Sequence, residues 1–487
     1  MFTENLASGL ALIGIVILVA SLLSGVIERS GLPQVGIFLV LGALLGPTGL
    51  GLINLTLESP TLQIIATLAL VLVLFSDAIV VDMSEVKRQH KLALLVLGPG
   101  TLIPAVLIAL AGWLLLGLAP IEAMILGAAL ASTDPVLLRN LLRRPSLPPT
   151  ARVALRLESG MNDVVLLPIV VLGILAVQSG GAVDPVEFGR HVVGLFILGP
   201  ALGALVGYVA ITLLEKIRSR AGVRRDYESL YALGIAFTAF AAAESVGGSG
   251  FLAAFAAGIV VAAMDVELCD CFLDYGQATA EMFLLFTFVA FGAWLIWSGF
   301  SVADGRTLLF ALLALSARTA VLRPVLAQAG VAPRDRRLIA WFGPRGLSSL
   351  LLILLPVFAG MPGSVRLFEI TCLVVLLSVL LHGAAIAAFL RKDAGPGPVV
   401  TTSSAPPARA ESGTPEAPVP ERITIAEMRQ LLEAGEPVVL ADVRTDRTYQ
   451  SDTLKAKGAL RLPPDDAVRR ARELGLDHHG TVVLYCA

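Results

Sequence analysis

Charge is the scarcest thing in this sequence: 15% of its 487 residues are Asp, Glu, Lys or Arg, where a soluble domain usually carries about 25%. Aromatic residues make up 6% and histidines number five, too few for a stacking surface or a His-rich metal site. Four cysteines, Cys269, Cys271, Cys372 and Cys486, exclude a disulfide framework, and the lone Cys269-x-Cys271 pair is too little for a metal centre. A net charge of −2 leaves no electrostatic footprint for nucleic acid, and nothing in the sequence asks for a cofactor. The first apolar stretch opens on Glu4. It has no basic segment before it and no small-residue cleavage site, so it reads as a retained helix and not a removed signal peptide.

What the sequence has is hydrophobicity. Apolar residues make up 56% and mean hydropathy is +0.83. Runs of the roughly 20 residues that cross a bilayer recur from Leu6 to Leu390. Hydropathy and helix breakers predict about thirteen spans: 6–27, 32–50, 61–83, 92–116, 121–142, 151–178, 188–214, 228–246, 249–265, 280–300, 306–328, 336–359 and 366–390. Residues 1–393 hold 50 charges, whereas the last 94 residues hold 24. The change falls at Gly395-Pro-Gly-Pro398 and runs to Pro420, a Pro-rich polar stretch that cannot build a core. The expected organisation is a membrane domain over 1–393, a disordered linker over 394–420 and a small soluble domain over 421–487.

Basic residues sort by side. Lys87, Arg88 and Lys91, then Arg139, Arg143 and Arg144, then Lys216 to Arg225, then Arg334, Arg336 and Arg337, and finally Arg391 and Lys392 fall in alternate loops. By the positive-inside rule those loops are cytoplasmic. The N-terminus is then outside and the tail inside, in the inner (plasma) membrane.

Several charges sit where lipid should exclude them: Asp77, Asp134, Glu158, Asp163, Glu281, Arg318, Arg323 and Arg345. Each costs about 2.5–3.5 kcal/mol at the centre of a bilayer even on the lenient insertion scale. The bland reading is that they form structural ion pairs between helices; as a set they point to function. Ser132-Thr133-Asp134-Pro135 lies inside the span 121–142, and Phe342-Gly343-Pro344-Arg345-Gly346 inside 336–359. Proline breaks a helix interior. Two interrupted helices, one in each half of the chain, are the sequence mark of inverted repeats with an ion site at the midplane. On a third helix, Leu157-Glu158-Ser159-Gly160-Met161-Asn162-Asp163, the pairs Glu158/Asn162 and Ser159/Asp163 are four apart and share faces. One face offers a hydroxyl and a carboxylate to a cation. The other offers a carboxylate and an amide that could hold an arginine. A carboxylate holds either a proton or a cation but not both, and that competition is itself a mechanism of exchange.

These pieces resemble the sodium/proton exchanger family, in particular its bacterial electroneutral cation:proton antiporters. The resemblance rests on Thr133-Asp134-Pro135, Glu158-Ser159 with Asn162-Asp163, and Gly343-Pro344-Arg345-Gly346. Softer matches are Leu74-Phe75-Ser76-Asp77-Ala78 and Ser249-Gly250-Phe251-Leu252-Ala253. It implies an all-α, polytopic, thirteen-helix homodimer with inverted repeats, two broken crossing helices and a core that moves like an elevator. Asp163 would be the ion- and proton-binding carboxylate. Na⁺, with K⁺ or Li⁺ as alternatives, would sit among Thr133, Asp134, Ser159, Asp163 and Asp77. Glu158 and Asn162 would be structural, with Glu158 held by an arginine. Arg345 matches the Gly-x-Arg-Gly arginine; by spacing, Arg318 best matches the family's arginine on the preceding helix, with Arg323 second, and the resemblance leaves Glu158's partner open among Arg318, Arg323 and Arg345. Asn162 in place of a second aspartate implies one proton per cation.

The tail reads differently. A short amphipathic helix over Ile423–Leu432, a strand over Pro437–Asp442 and another over Gly480–Tyr485 predict a parallel α/β sheet. Asp442-Val443-Arg444, Gly458-Ala459 and Cys486 resemble a rhodanese-like domain, in which the cysteine carries sulfur. The loop expected after that cysteine is not in the sequence, so the domain reads as incomplete and inactive, and Cys486 as a structural strand-end residue is the bland alternative. A membrane-anchored sulfurtransferase is the competing function of another class. The buried charges argue against it and for a transporter that is not an enzyme.

Overall fold

The computed structural model describes residues 34–393 apart from 82, 143, 145, 146, 180–184, 222–224 and 265–269. Before them it describes 14, 15, 18, 19 and 22; after them 428, 438–444, 456, 458–463, 467–476 and 481–485. The predicted span 6–27 lies mostly outside these residues, as do the linker and Cys486. The chain forms two compact units, Met1–Val399 and Val400–Ala487.

Among the described residues, the regular elements of the first unit are all helices. Its elements are α1 (Gln34–Leu45), α2 (Pro60–Val80), α3 (Met83–Arg88), α4 (His90–Leu97), α5 (Pro99–Leu116), α6 (Pro120–Ala131), α7 (Pro135–Leu142) and α8 (Pro149–Gln178). There follow α9 (Pro185–Val193), α10 (Gly199–Ala221), α11 (Arg225–Ser245), α12 (Gly250–Ala263), α13 (Asp270–Ala293), α14 (Gly305–Gln328), α15 (Pro333–Trp341), α16 (Leu347–Phe358) and α17 (Ser364–Asp393). Their starts are written locally. Proline opens α2, α5, α6, α8 and α15, where its missing N–H costs nothing. Asp304 caps α14 by accepting from the Thr307 N–H at 2.7 Å, and Ser249 caps α12. Gly117 ends α5 in the left-handed region, φ 64°, which glycine enters freely.

Seven helices among the described residues are long and apolar enough to cross a bilayer, or eight if the pair Met282–Ala293 and Leu295–Val302, bent by 48°, is one span. Part of the difference from the predicted thirteen has a physical origin. The span 336–359 is two helices of 9 and 12 residues, and α12 is 14 residues long. At 1.5 Å per residue none of these covers a core of about 30 Å alone. The span 188–214 instead runs on, through a π-helical turn at Gly194–Leu198.

Small residues set the packing, as expected where lipid tails offer helices no hydrophobic incentive to associate. A Cβ at Gly42 or Gly292 would overlap the facing backbone of α13 or α1, and one at Gly203 the backbone of Ala253. The largest apolar cluster draws on α1, α2, α6, α8, α13, α14, α16 and α17. A second joins Leu92, Leu138, Leu155, Leu322 and Ile339, around the ends that carry the basic loops.

The second unit holds a three-stranded sheet, β1 (Val438–Asp442), β2 (Leu460–Arg461) and β3 (Thr481–Tyr485), in the order β2-β1-β3 with both pairings parallel. A short helix α18 (Ala467–Glu473) precedes β3. Sequence reading found β1 and β3 but not β2, which is only two residues long. Asp442 is the hub of the sheet's end. It accepts from Arg444 Nη2 at 2.7 Å and from the Tyr485 hydroxyl at 2.9 Å.

The Arg444 guanidinium, helped by the Arg444 N–H and the Tyr485 hydroxyl, holds the Asp442 carboxyl down at about 2. An unfolded aspartate titrates near 3.9. A depressed folded value means the contribution is complete above about pH 5 and is lost as pH falls from about 4 toward 2. In the full chain, amide exchange at β1, corrected for intrinsic rates, should be level from pH 7 to 5 and accelerate below about pH 4. Asp442→Asn should remove that pH step and weaken protection at pH 7. Undiminished protection of β1 at pH 2.5 would count against this role.

Candidate functional site

Two interrupted helices cross in the first unit. After α6 the chain leaves the helix at Ser132–Asp134 before α7 resumes, and after α15 it is non-helical through Phe342–Gly346 before α16. Pro135 and Pro344 cannot continue a helix from the residues before them. The two breaks are laced together. The Asp134 N–H donates to the Pro344 carbonyl at 3.0 Å.

Each break exposes a helix C-terminus and a helix N-terminus, and each needs partners because no water reaches it. At the C-terminus of α6, Arg345 Nη1 donates to the Ala131 carbonyl at 2.5 Å and the Ser132 carbonyl at 2.9 Å. At the C-terminus of α15, Arg318 Nη1 and Thr319 Oγ1 both donate to the Ala340 carbonyl at 2.8 Å. Both N-termini share one carboxylate. Asp134 Oδ1 accepts from the Val136 N–H of α7 and Oδ2 from the Leu347 N–H of α16, each at 2.8 Å. Cations at C-termini and an anion at N-termini also oppose the helix dipoles.

These contacts explain two glycines. A Cβ at Gly346 would overlap Asp134 Oδ2, and a Cβ at Gly343 would overlap the Arg318 guanidinium.

The long helix α8 passes beside the crossing and presents Glu158, Ser159, Asn162 and Asp163, all buried. Glu158 takes a fork from Arg318, Nε to Oε1 at 2.5 Å and Nη2 to Oε2 at 2.6 Å. It also accepts from Thr133 Oγ1 at 3.2 Å, and Thr133 Oγ1 in turn accepts from Arg345 Nη1 at 3.3 Å. Of the three arginines weighed from the sequence, Arg318 is the one beside Glu158; Arg323 lies exposed near the end of α14.

Asp163 is treated differently. Its Oδ1 accepts a short hydrogen bond from Ser132 Oγ, and the Ser348 hydroxyl adjoins the same carboxylate. Among the described residues it receives neither an arginine nor a backbone N–H. Asp77 of α2, half-buried, flanks this face of α8: a Cβ at Gly160 would lie 3.7 Å from Asp77 Cβ. Ser159, one turn before Asp163, engages none of the other site residues.

The geometry adds to the sequence reading in two places. Asp134 appears there as a cation ligand; in the structure each of its oxygens accepts one helix N–H. Asn162 appears there as a second holder of the arginine, yet its amide nitrogen and oxygen are buried without any partner. The fork of Arg318 fills its bonds on Glu158 and Ala340, which leaves nothing for the amide. Ser132 and Ser348 were not singled out. Their signal is position alone: each lies within two residues of a break.

A family model described as "Sodium/hydrogen exchanger, transmembrane" matches residues 14–392. The chain belongs to that family. Among its relatives, the K⁺/H⁺ antiporter NhaP of Alkalimonas amylolytica is 26% identical over 401 residues, covering 79% of this chain and 68% of that one. The K⁺/H⁺ antiporter NhaP2 of Shewanella sp. strain MR-4 is 27% identical over 382 residues, covering 77% and 65%. The match thus spans about two thirds of these relatives' length. A solved structure, the sodium proton antiporter MjNhaP1 of Methanocaldococcus jannaschii at pH 8, superposes with a TM-score of 0.63 over 77% of this chain and 98% of its own, at 20% identity. That likeness speaks to the fold.

The buried Glu158–Arg318 fork yields a direct test. Removing one partner of a buried pair costs about 3–5 kcal/mol, because the other charge is left uncompensated. Arg318→Ala should lower the melting temperature of the detergent-purified protein sharply. Glu158→Gln combined with Arg318→Gln should recover part of the loss. Equal losses in single and double variants would mean that the charges do not act on each other.

Proposed function

We propose that the chain is a monovalent cation/proton antiporter in which proton and cation compete for the Asp163 carboxylate. One observation carries the reading. Of the fully buried carboxylates beside the crossing, Glu158 is held by an arginine and Asp134 by two N–H groups. Asp163 has only hydroxyls, Ser132 and Ser348, which donate to a charged carboxylate or turn to accept from a protonated one. Those hydroxyls with Ser159, Thr133 and Asp77 give the all-oxygen surroundings that a hard alkali cation prefers. With Asn162 as its neighbour, one carboxylate titrates and exchange is one for one.

Na⁺ is the first reading of the transported cation. K⁺ is the second, and the K⁺/H⁺ names of both curated relatives favour it. We further infer thirteen spans as a homodimer in the inner membrane, with the N-terminus outside and the tail in the cytoplasm, since the Lys/Arg-rich loops gather on the tail's side. The membrane domain would end near 393 and a linker near 420. For 421–487 we propose a rhodanese-like unit, supported by the parallel sheet and the Asp442–Arg444 contact at the end of β1.

In inverted vesicles carrying a preset pH gradient, added Na⁺, K⁺ or Li⁺ should collapse the gradient, ranked by preference. Asp163→Asn should reduce that response to background, and full activity in that variant would sink the mechanism. A potassium diffusion potential set with valinomycin should leave the Na⁺-driven rate unchanged; a rate that follows the voltage would mean unequal stoichiometry.

A further inference from the structure

Where α14 gives way to α15, an open cavity of about 390 Å³ is lined by Arg323, Pro333, Arg336 and Arg337. None of its lining residues is acidic. Asp335 is the acid closest in sequence, in the first turn of α15, and does not line the cavity. Among the described residues no acidic partner reaches any of the three guanidinium groups, and the Nε of Arg336 is enclosed without a hydrogen-bond partner. Three like charges around one cavity repel one another. A single anion at the centre offsets that repulsion and meets the guanidinium N–H groups that face the cavity.

The donor chemistry selects the anion. Guanidinium groups offer planar forks of N–H that match tetrahedral oxyanions, phosphate above all. Depth agrees. The nine residues of α15 span about 13.5 Å at 1.5 Å per residue, close to half of a hydrocarbon core of about 30 Å. A helix of that length, with its broken end at the bilayer's middle, puts Pro333 at headgroup level. The cavity also opens at the mouth of α15, whose other end leads into Gly343–Arg345.

We propose that this cavity binds a phosphate group, either the headgroup phosphate of an anionic phospholipid or a free phosphate anion, and that occupancy steadies α15 and the helix break beyond it. The site involves none of the residues that surround Asp163, so it stands apart from the transport reading.

The test uses the full chain purified in a neutral detergent, with melting temperature as readout. One arm titrates dioleoylphosphatidylglycerol against phosphatidylcholine. The other titrates inorganic phosphate against chloride at equal ionic strength. Stabilisation by phosphatidylglycerol alone identifies the lipid source. Stabilisation by phosphate without lipid identifies the free anion. In either case Arg336→Gln/Arg337→Gln should abolish the effect, whereas Lys91→Gln, an exposed lysine at the start of α4, should keep it. Should the double variant fail to fold, Arg337→Gln alone should weaken the apparent affinity about tenfold, the loss of one charge-assisted contact. Equal responses in wild type and arginine variants, or no response of the wild type to either additive, would overturn the proposal.

Discussion

Four cut helix ends meet inside a membrane protein, and the rest of the site follows from how they are satisfied. A break at Ser132–Asp134 and another at Phe342–Gly346 free carbonyls and N–H groups where solvent is absent. An unpaired backbone group in such a place costs several kcal/mol. The chain answers with three side chains that are themselves costly to bury. Arg345 and Arg318 take the two C-termini, and Asp134 takes both N-termini. Charges and helix ends are each untenable alone and compatible together. Gly343 and Gly346 leave the room that this arrangement needs.

The same accounting isolates Asp163. Once Arg318 has neutralised Glu158 and the N–H groups have claimed Asp134, the third carboxylate has neither an arginine nor an N–H bonded to it among the described residues, because Arg345 is spent on the carbonyls at the end of α6. A permanently paired carboxylate would be a poor exchanger, because its partner would have to leave before a cation entered. Hydroxyl partners impose no such barrier, since Ser132 can donate or accept as the carboxylate's charge changes. Asn162 supplies bulk and polarity one position away without a second titrating group. Among the described residues its amide nitrogen and oxygen are both buried without a partner.

How much of this was legible beforehand depends on whether the signal was local. Proline beside a charge inside an apolar run marks a break wherever it occurs, so both breaks and the Glu158/Asp163 helix could be read from the residues alone. Spacing also favoured Arg318 over Arg323. The function of Asp134 was not legible, because its second oxygen is satisfied by Leu347, 213 positions away. Sequence shows that an aspartate is present but not whether a distant helix end will consume it. Ser132 and Ser348 were hidden for the same reason: serine is unremarkable in a membrane helix until the fold points it at Asp163. In the tail, β1 and β3 announced themselves by apolar runs, whereas two residues at β2 carry no pattern.

Those contacts also limit how the protein can move. The Asp134 N–H to Pro344 bond, the Arg345 cap on α6 and the Asp134 cap on α16 bind the two broken helices into one body. The Glu158–Arg318 fork and the Ser132–Asp163 bond add α8 and α14 to it. Any displacement of Asp163 relative to the rest must therefore carry both crossings with it, since separating them would strip buried ions of their partners at several kcal/mol each. Slippage is cheapest where neighbours share only dispersion contacts. The crossing is thereby built as one hydrogen-bonded and ion-paired unit, within which the Asn162 amide alone among these side chains is left without a partner among the described residues.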